Sequence, residues 1–299
     1  MKAPALAAVG AVLLWSTNAF AAKYALADLT VLQLLTLQFG AATLALAAMR
    51  AVQRGPRDLA GGWPAPRHIL VGLIGLTGTI FLQYLAFDLA RIVEANVIAY
   101  AWPLFVAVWA AAVVRNLQAR LGLLLAVIGF AGVGLIFDAR GGLSFADGMQ
   151  FGYIFAVASA ACMAFYTVAS SRIPVSGDRL MLPATMLGTI TAFGLSLWQG
   201  TPWPAPAAWW TAVYIGVGPM AAGFGLWTLA MSGDGAKRLA PVGYGTPLLS
   251  TVLLLLSGES FTPQTLLGAA MVMVCSIGVL AADRLTRAKP VAAAATSRH

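Results

Sequence analysis

An all-α, polytopic membrane fold is predicted for this 299-residue chain, and three observations carry the prediction. Hydrophobic residues make up 60% of the chain and charged residues 9%, with a mean hydropathy of +0.85. A soluble domain of this size has no means of hiding so much apolar surface, whereas a bilayer asks for about 20 apolar residues per crossing helix. Apolar stretches of that length recur ten times. Short phrases repeat between the two halves of the chain: Tyr100-x-x-Pro103 returns as Tyr244-x-x-Pro247, Gly75, Phe81 and Tyr84 return as Gly218, Phe224 and Trp227, and Gly122, Gly132 and Val133 return as Gly268, Gly278 and Val279.

The ten stretches are 4–22, 29–49, 68–88, 92–113, 120–137, 148–172, 180–199, 207–230, 236–256 and 262–282. The first lies between Lys2 and Lys23 and resembles a cleaved signal peptide, but removing it would leave nine spans and unequal halves. The second ends at Arg50, where the largest connector begins; Arg50 to Arg67 is rich in Arg, Gly and Pro, with Trp63 beside Pro64, and is expected at the cytoplasmic interface. The third opens at His68 and closes at Asp88. Arg91 and Glu94 mark the start of the fourth, Arg115 and Arg120 separate it from the fifth, and Asp138 ends the fifth. Arg172 and Arg179 bracket the connection between the sixth and seventh. Three prolines stiffen the uncharged loop from Gly200 to Pro206 before the eighth. Asp234, Lys237 and Arg238 precede the ninth, Glu259 follows it, and the tenth leads into an Ala-rich, polar tail.

The halves are expected to be two five-helix units, 1–140 and 141–285, with a cytoplasmic tail at 286–299. Five spans per unit turn the second unit upside down relative to the first. Inverted repeats of this kind are the architecture of secondary transporters, in which exchange of conformation between halves opens a central site to either side in turn.

The formal charge of +8 and pI near 9.9 have a topological reading. With the N-terminus inside, 15 of the 18 Lys and Arg residues fall in cytoplasmic segments, leaving Lys23, Arg91 and Arg140 outside. This is the positive-inside bias, so both termini are expected in the cytoplasm and no nucleic-acid partner is implied. Cys162 and Cys275 stand alone in separate stretches, which disfavours a disulfide or a metal site, and no cofactor is expected. Nothing in the chain calls for an obligate protein partner.

No Asp, Glu, Lys, Arg or His lies near the middle of a span. Ionisable groups inside a membrane mark proton and ion pathways, so their absence argues against carboxylate-driven proton antiport and against a pocket for phosphorylated substrates. No nucleophile–base pair or His/Asp/Glu cluster is visible either, and an enzyme is not expected. The mid-span residues offered instead are rings and neutral polar groups. Trp15 and Asn18 are three apart and share a helix face. Tyr100, Trp102 and Pro103 lie in the fourth stretch, Tyr244, Thr246 and Pro247 in the ninth, and Tyr84 and Trp227 occupy equivalent places in the third and eighth. Gln38 and Gln83 are further amides. A ring with a polar tip suits a pocket that stacks an organic solute and still hydrogen-bonds it. Each has a blander reading as helix packing, and Trp63, Trp198, Trp203, Trp209 and Trp210 are assigned to the membrane–water belts. Pro103 and Pro247 each remove an N–H bond, which makes them static kinks, hinges, or sources of an exposed carbonyl.

These phrases, together with Ser257-Gly258-Glu259 before a Gly268-containing stretch, resemble the drug/metabolite transporter superfamily of EamA type over residues 5–282. Leu14-Trp15-Ser16-Thr17, Tyr100-x-Trp102-Pro103 and Tyr244-x-Thr246-Pro247-x-Leu249-Ser250 are similar to the YddG-type aromatic amino-acid exporters. The resemblance implies an inner-membrane exporter with a central cavity, walled by Trp15, Ser16, Tyr84, Tyr100, Trp102, Trp227 and Tyr244, and small-molecule substrates that are amino acids, aromatic and hydrophobic ones favoured. Two departures stand out. The aromatic expected in the sixth stretch is replaced near Cys162 and Met163, and the first repeat has Arg115-Asn116 where the second has Gly258-Glu259. With no mid-membrane carboxylate, facilitated diffusion by alternating access is the simplest coupling. A broad drug or metabolite exporter, and a receptor or assembly subunit without flux, are the alternatives.

Overall fold

The computed structural model describes residues 2–54, 63–113, 117–138, 149–170, 172–174, 177–230, 242–243, 245–260 and 262–287. Among them the regular elements are all helical, with no strand. Eight helical segments are long and apolar enough to cross a membrane: Ala3–Asp28, Val31–Val52, Pro66–Leu89, Ile92–Val113, Ala119–Ile136, Gln150–Ser170, Arg179–Gln199 and Pro206–Ala230. Two shorter apolar helices follow, Gly245–Leu256 and Pro263–Gly278, where the sequence predicts the ninth and tenth spans.

Several crossings are interrupted, and the interruptions have local causes. The first consists of α1 (Lys2–Ser16) and α2 (Asn18–Asp28). At their junction the Ser16 hydroxyl donates to Val12 O at 2.7 Å and the Thr17 hydroxyl to Leu14 O at 2.7 Å, while Thr17 N–H donates to the same Leu14 carbonyl at 3.2 Å. Hydroxyls bonding back into the preceding turn tighten and bend a helix. After α3 (Val31–Arg54), the third crossing joins α4 (Pro66–Gly72) to α5 (Gly78–Leu89) through a π-helical turn at Leu73–Thr77. The fourth breaks between α6 (Ile92–Ala99) and α7 (Trp102–Val113), because Pro103 has no N–H to donate and its ring crowds the carbonyl of Ala99, four residues back. Next come α8 (Leu117–Asp138), α9 (Met149–Ser170) and α10 (Gly177–Gln199). The eighth crossing comprises α11 (Trp210–Ile215), a second π turn at Gly216–Ala222, and α12 (Gly223–Ala230). The last helices are α13 (Gly245–Leu256) and α14 (Pro263–Arg287). The two π turns contain Gly75 and Gly218, the same pair that the repeat matches in the sequence.

Packing follows a paired scheme. Helix α3 lies along α10, α8 along α14, α5 along α9, and α1 along α12; α7 contacts α9 as α1 contacts α13. In lipid such contacts depend on close backbone approach. Gly132 and Gly268 supply it between α8 and α14: a Cβ on Gly132 would sit 2.7 Å from Gly268 O, and one on Gly268 would sit 2.5 Å from Gly132 O. The outward surface is apolar as a bilayer requires, with Leu44, Ile190, Leu197 and Val274 exposed. Trp198 and Trp210 are also exposed, in keeping with the interfacial belt, and Trp209 donates its Nε1–H to Pro204 O at 3.2 Å.

One end of the bundle, where the sequence expects the outside, is tied together by polar bonds. Gly258 has φ +89°, and behind it Glu259 N–H donates to Leu254 O at 3.2 Å and Gly258 N–H to Leu255 O at 3.0 Å. This Schellman closure of α13 needs a left-handed residue, which glycine provides without a Cβ clash. Glu259 then pairs with Lys23 at 2.8 Å, and Lys23 also donates to Ser257 O at 2.9 Å and Ser257 Oγ at 3.1 Å. Arg91 Nη2 donates to Ser260 O at 2.8 Å and to Ser260 Oγ at 3.0 Å.

Gly268→Val tests the α8–α14 crossing. The added carbons displace a backbone rather than a flexible side chain, and destabilisation of about 1–3 kcal/mol is expected. The check is the thermal unfolding midpoint in detergent, and an unchanged midpoint would contradict the close crossing.

Candidate functional site

A cavity of about 480 Å³ lies among α1, α2, α3, α5, α6, α7, α9, α10, α12, α13, α14 and the two π turns. That volume is in the range of small-molecule sites. Among the described residues six aromatic rings line it: Trp15, Tyr84, Tyr100, Trp102, Phe224 and Trp227. Asn18, Gln38 and Gln83 contribute amides, and Thr77, Thr79, Ser159, Thr185, Thr246 and Ser276 contribute hydroxyls. Among the described residues no Asp, Glu, Lys, Arg or His lines it.

The rings are held in place by one another and by small neighbours. Trp15 meets Phe224 edge-on with centroids 5.1 Å apart and tilts against Trp227 at 5.2 Å. A Cβ on Gly223 would lie 2.8 Å from Trp15 Nε1, so glycine is what lets the indole sit against α12. Gly243 plays the same part for Trp227, whose ring edge would come within 3.0 Å of a Cβ there. Tyr84 is fully buried and donates its hydroxyl to Asn18 Oδ1 at 3.0 Å, joining α5 to α2. Asn96 Nδ2 donates to Ser250 Oγ at 3.0 Å, joining α6 to α13.

Of the residues singled out from the sequence, Trp15, Asn18, Gln38, Tyr84, Tyr100, Trp102 and Trp227 all line the cavity, as do Pro103 and Pro247. Ser16 does not. It is buried in the contact of α1 with α13, donating to Val12 O and, at 3.3 Å, to Thr246 O, because its short hydroxyl finds main-chain acceptors before it can reach the cavity. Tyr244 lies outside the described residues. Four lining residues carry a buried polar atom with no partner inside the chain: Trp15 Nε1, Gln38 Oε1, Thr246 Oγ1 and Ser276 Oγ. An unmet buried polar group is costly, and a polar solute can offset that cost.

Sequence reasoning missed the methionines and one carboxylate. Met163, Met181, Met220 and Met273 line the cavity, and only Met163 had been marked, as the place of a missing ring. Methionines are indistinguishable from packing residues in an apolar sequence. Glu94 sits where the sequence puts it, at the start of a span, yet it is wholly buried. Tyr153 of α9 donates its hydroxyl to Glu94 Oε2, and Thr265 of α14 donates to Oε1 at 3.2 Å. Helices α9 and α14 close over Glu94. Along α6 the order from the tied end is Glu94, Asn96 and then Ala99 at the cavity. Lining residues such as Leu76, Met181 and Gly243 come from the opposite half of their crossings.

An all-helical membrane protein that encloses an uncharged, ring-lined chamber of solute size has the build of a membrane transporter. A profile of the EamA-like transporter family matches residues 2–138 and 150–281, and the chain belongs to that family. It is 32% identical over 282 residues to the aromatic amino acid exporter YddG of Ancylobacter novellus, covering 93% of this chain and 96% of the relative. A crystal structure 28% identical in sequence superposes with a TM-score of 0.60, covering 95% of this chain and 99% of that one.

Glu94→Ala removes a buried acceptor that two hydroxyls use. A loss of about 1–3 kcal/mol is expected, with Glu94→Gln losing less because it keeps a carbonyl oxygen. Thermal unfolding in detergent measures both; an alanine variant as stable as the parent would show that the Glu94 bonds carry no stability.

Proposed function

We propose that the protein is an inner-membrane exporter of amino acids, aromatic and other hydrophobic ones favoured, and of related metabolites. The single observation that carries this reading is the wall, which among the described residues consists of six rings and neutral polar groups without a formal charge. A solute with net charge would give up its hydration to a wall that cannot neutralise it, at a cost of several kcal/mol. A zwitterion with an apolar or aromatic side chain is net neutral, stacks on the rings and bonds the amides. Likeness to a relative described as an aromatic amino acid exporter favours the same substrate class.

The mechanism we propose is alternating access between two inverted five-helix repeats, 1–140 and 141–285, ten spans in all, with both termini and the 286–299 tail in the cytoplasm. The paired helix contacts support it, since exchanging each crossing with the one five places on maps α3–α10 and α8–α14 onto themselves and α5–α9 onto α1–α12. The matched π turns support it as well. The bonds from Lys23 and Arg91 to Glu259 and Ser260 fit a state closed to the outside, with the chamber reached from the cytoplasm. Coupling is by facilitated diffusion, for which an uncharged chamber suffices. A second reading, a broad drug or metabolite exporter, is favoured by the four methionines, whose flexible thioethers accommodate varied shapes.

Proteoliposome counterflow with labelled amino acids tests both readings. Phenylalanine, tryptophan and leucine should move about tenfold faster or more than lysine, arginine and glutamate, with initial rates unchanged by an imposed pH gradient. Absence of flux for every amino acid would refute the substrate assignment, and strong competition by a cationic amphiphile such as methyl viologen would transfer support to the second reading.

A further inference from the structure

The two prolines of the repeated Tyr-x-x-Pro phrase do the same thing to the main chain in different halves of the protein. Pro103 has no N–H for the carbonyl of Ala99, and Pro247 has none for the carbonyl of Gly243, each four residues earlier. All four of these residues line the cavity. Gly243 has no side chain, so what it presents there is main chain. Ala99 is the last residue of α6, the end at which a helix gathers its negative partial charge and its unmatched carbonyls. Helices α6 and α13 are in contact and are bonded through Asn96 and Ser250, so the two proline-bearing segments are neighbours across the halves.

From this juxtaposition we infer that the main-chain carbonyls of Ala99 and Gly243, left without N–H partners by Pro103 and Pro247, form the subsite for the substrate's ammonium group. This rests on the reading of the cavity as an amino-acid site and deepens it. A chamber without a carboxylate has to hold an ammonium by dipoles. Carbonyl oxygens accept from N⁺–H donors without bringing a formal charge, which keeps the empty chamber neutral. Ends of interrupted helices serve cations in this way at the membrane midplane. Trp102 precedes Pro103 in sequence and Trp227 lies against Gly243, and aromatic rings add attraction for a cation. The amides of Asn18, Gln38 and Gln83 lie on other helices and are left for the carboxylate end.

The test measures equilibrium binding to purified protein of phenylalanine, phenethylamine, which lacks the carboxylate, and 3-phenylpropionate, which lacks the amine. The parent should bind phenethylamine at least about tenfold more tightly than 3-phenylpropionate. Pro103→Ala and Pro247→Ala restore an N–H to each carbonyl. Each should weaken phenylalanine and phenethylamine about tenfold while leaving 3-phenylpropionate unchanged. A variant weakened equally for all three compounds would mark the proline as a structural kink and overturn the inference. Preference of the parent for 3-phenylpropionate would overturn it without any variant, so a misfolded variant does not shield it. A parent that binds none of the three would instead refute the amino-acid reading on which the subsite rests.

Discussion

The cost of desolvating charge governs this protein. A formal charge buried in a low-dielectric chamber has to be paired or neutralised, and the cavity wall avoids the problem by holding no Asp, Glu, Lys, Arg or His among its described residues. Four charges near the span ends are engaged where they lie. Lys23 meets Glu259, Arg91 meets Ser260, and Glu94 is held by Tyr153 and Thr265. Under the proposed function, neutrality selects the solute, since only a molecule whose charges cancel leaves water for such a wall cheaply.

Backbone interruptions place the polar groups that a neutral wall needs. An unbroken helix in lipid satisfies its own N–H and C=O groups and presents only side chains. Here Ser16 and Thr17 bend the first crossing beside Asn18, Pro103 opens the fourth beside Tyr100, and π turns at Leu73–Thr77 and Gly216–Ala222 widen the third and eighth. Glycine at 223 and 243 admits the indoles of Trp15 and Trp227 against main chain. Rings and amides therefore converge on one space from many helices.

The fold class was legible in the sequence because lipid leaves few options, and eight of the ten apolar stretches coincide with described helices long enough to cross a membrane. The last two are shorter in the described residues than the sequence expects, Gly245–Leu256 and Pro263–Gly278 as apolar helices. The cavity residues were legible where a polar tip or a ring sat mid-span, as with Trp15, Asn18, Gln38 and Tyr100. Ser16 looked the same by that criterion, and only packing shows its hydroxyl spent on Val12 and Thr246 carbonyls. Glu94 was legible as a residue but not as a buried one, because burial at a span end depends on α9 and α14 closing over it. Met181, Met220 and Met273 gave no signal, since nothing in an apolar run separates a cavity methionine from a packing one.

The most direct test of the central claim is a structure determined with phenylalanine bound. The account predicts the amino acid between Trp15, Tyr100, Trp102 and Trp227, its ring stacked on theirs and no ionised side chain in contact with it. Phenylalanine bound instead against Lys23, Arg91 and Glu259 at the tied end, with the ring-lined chamber unused, would contradict it.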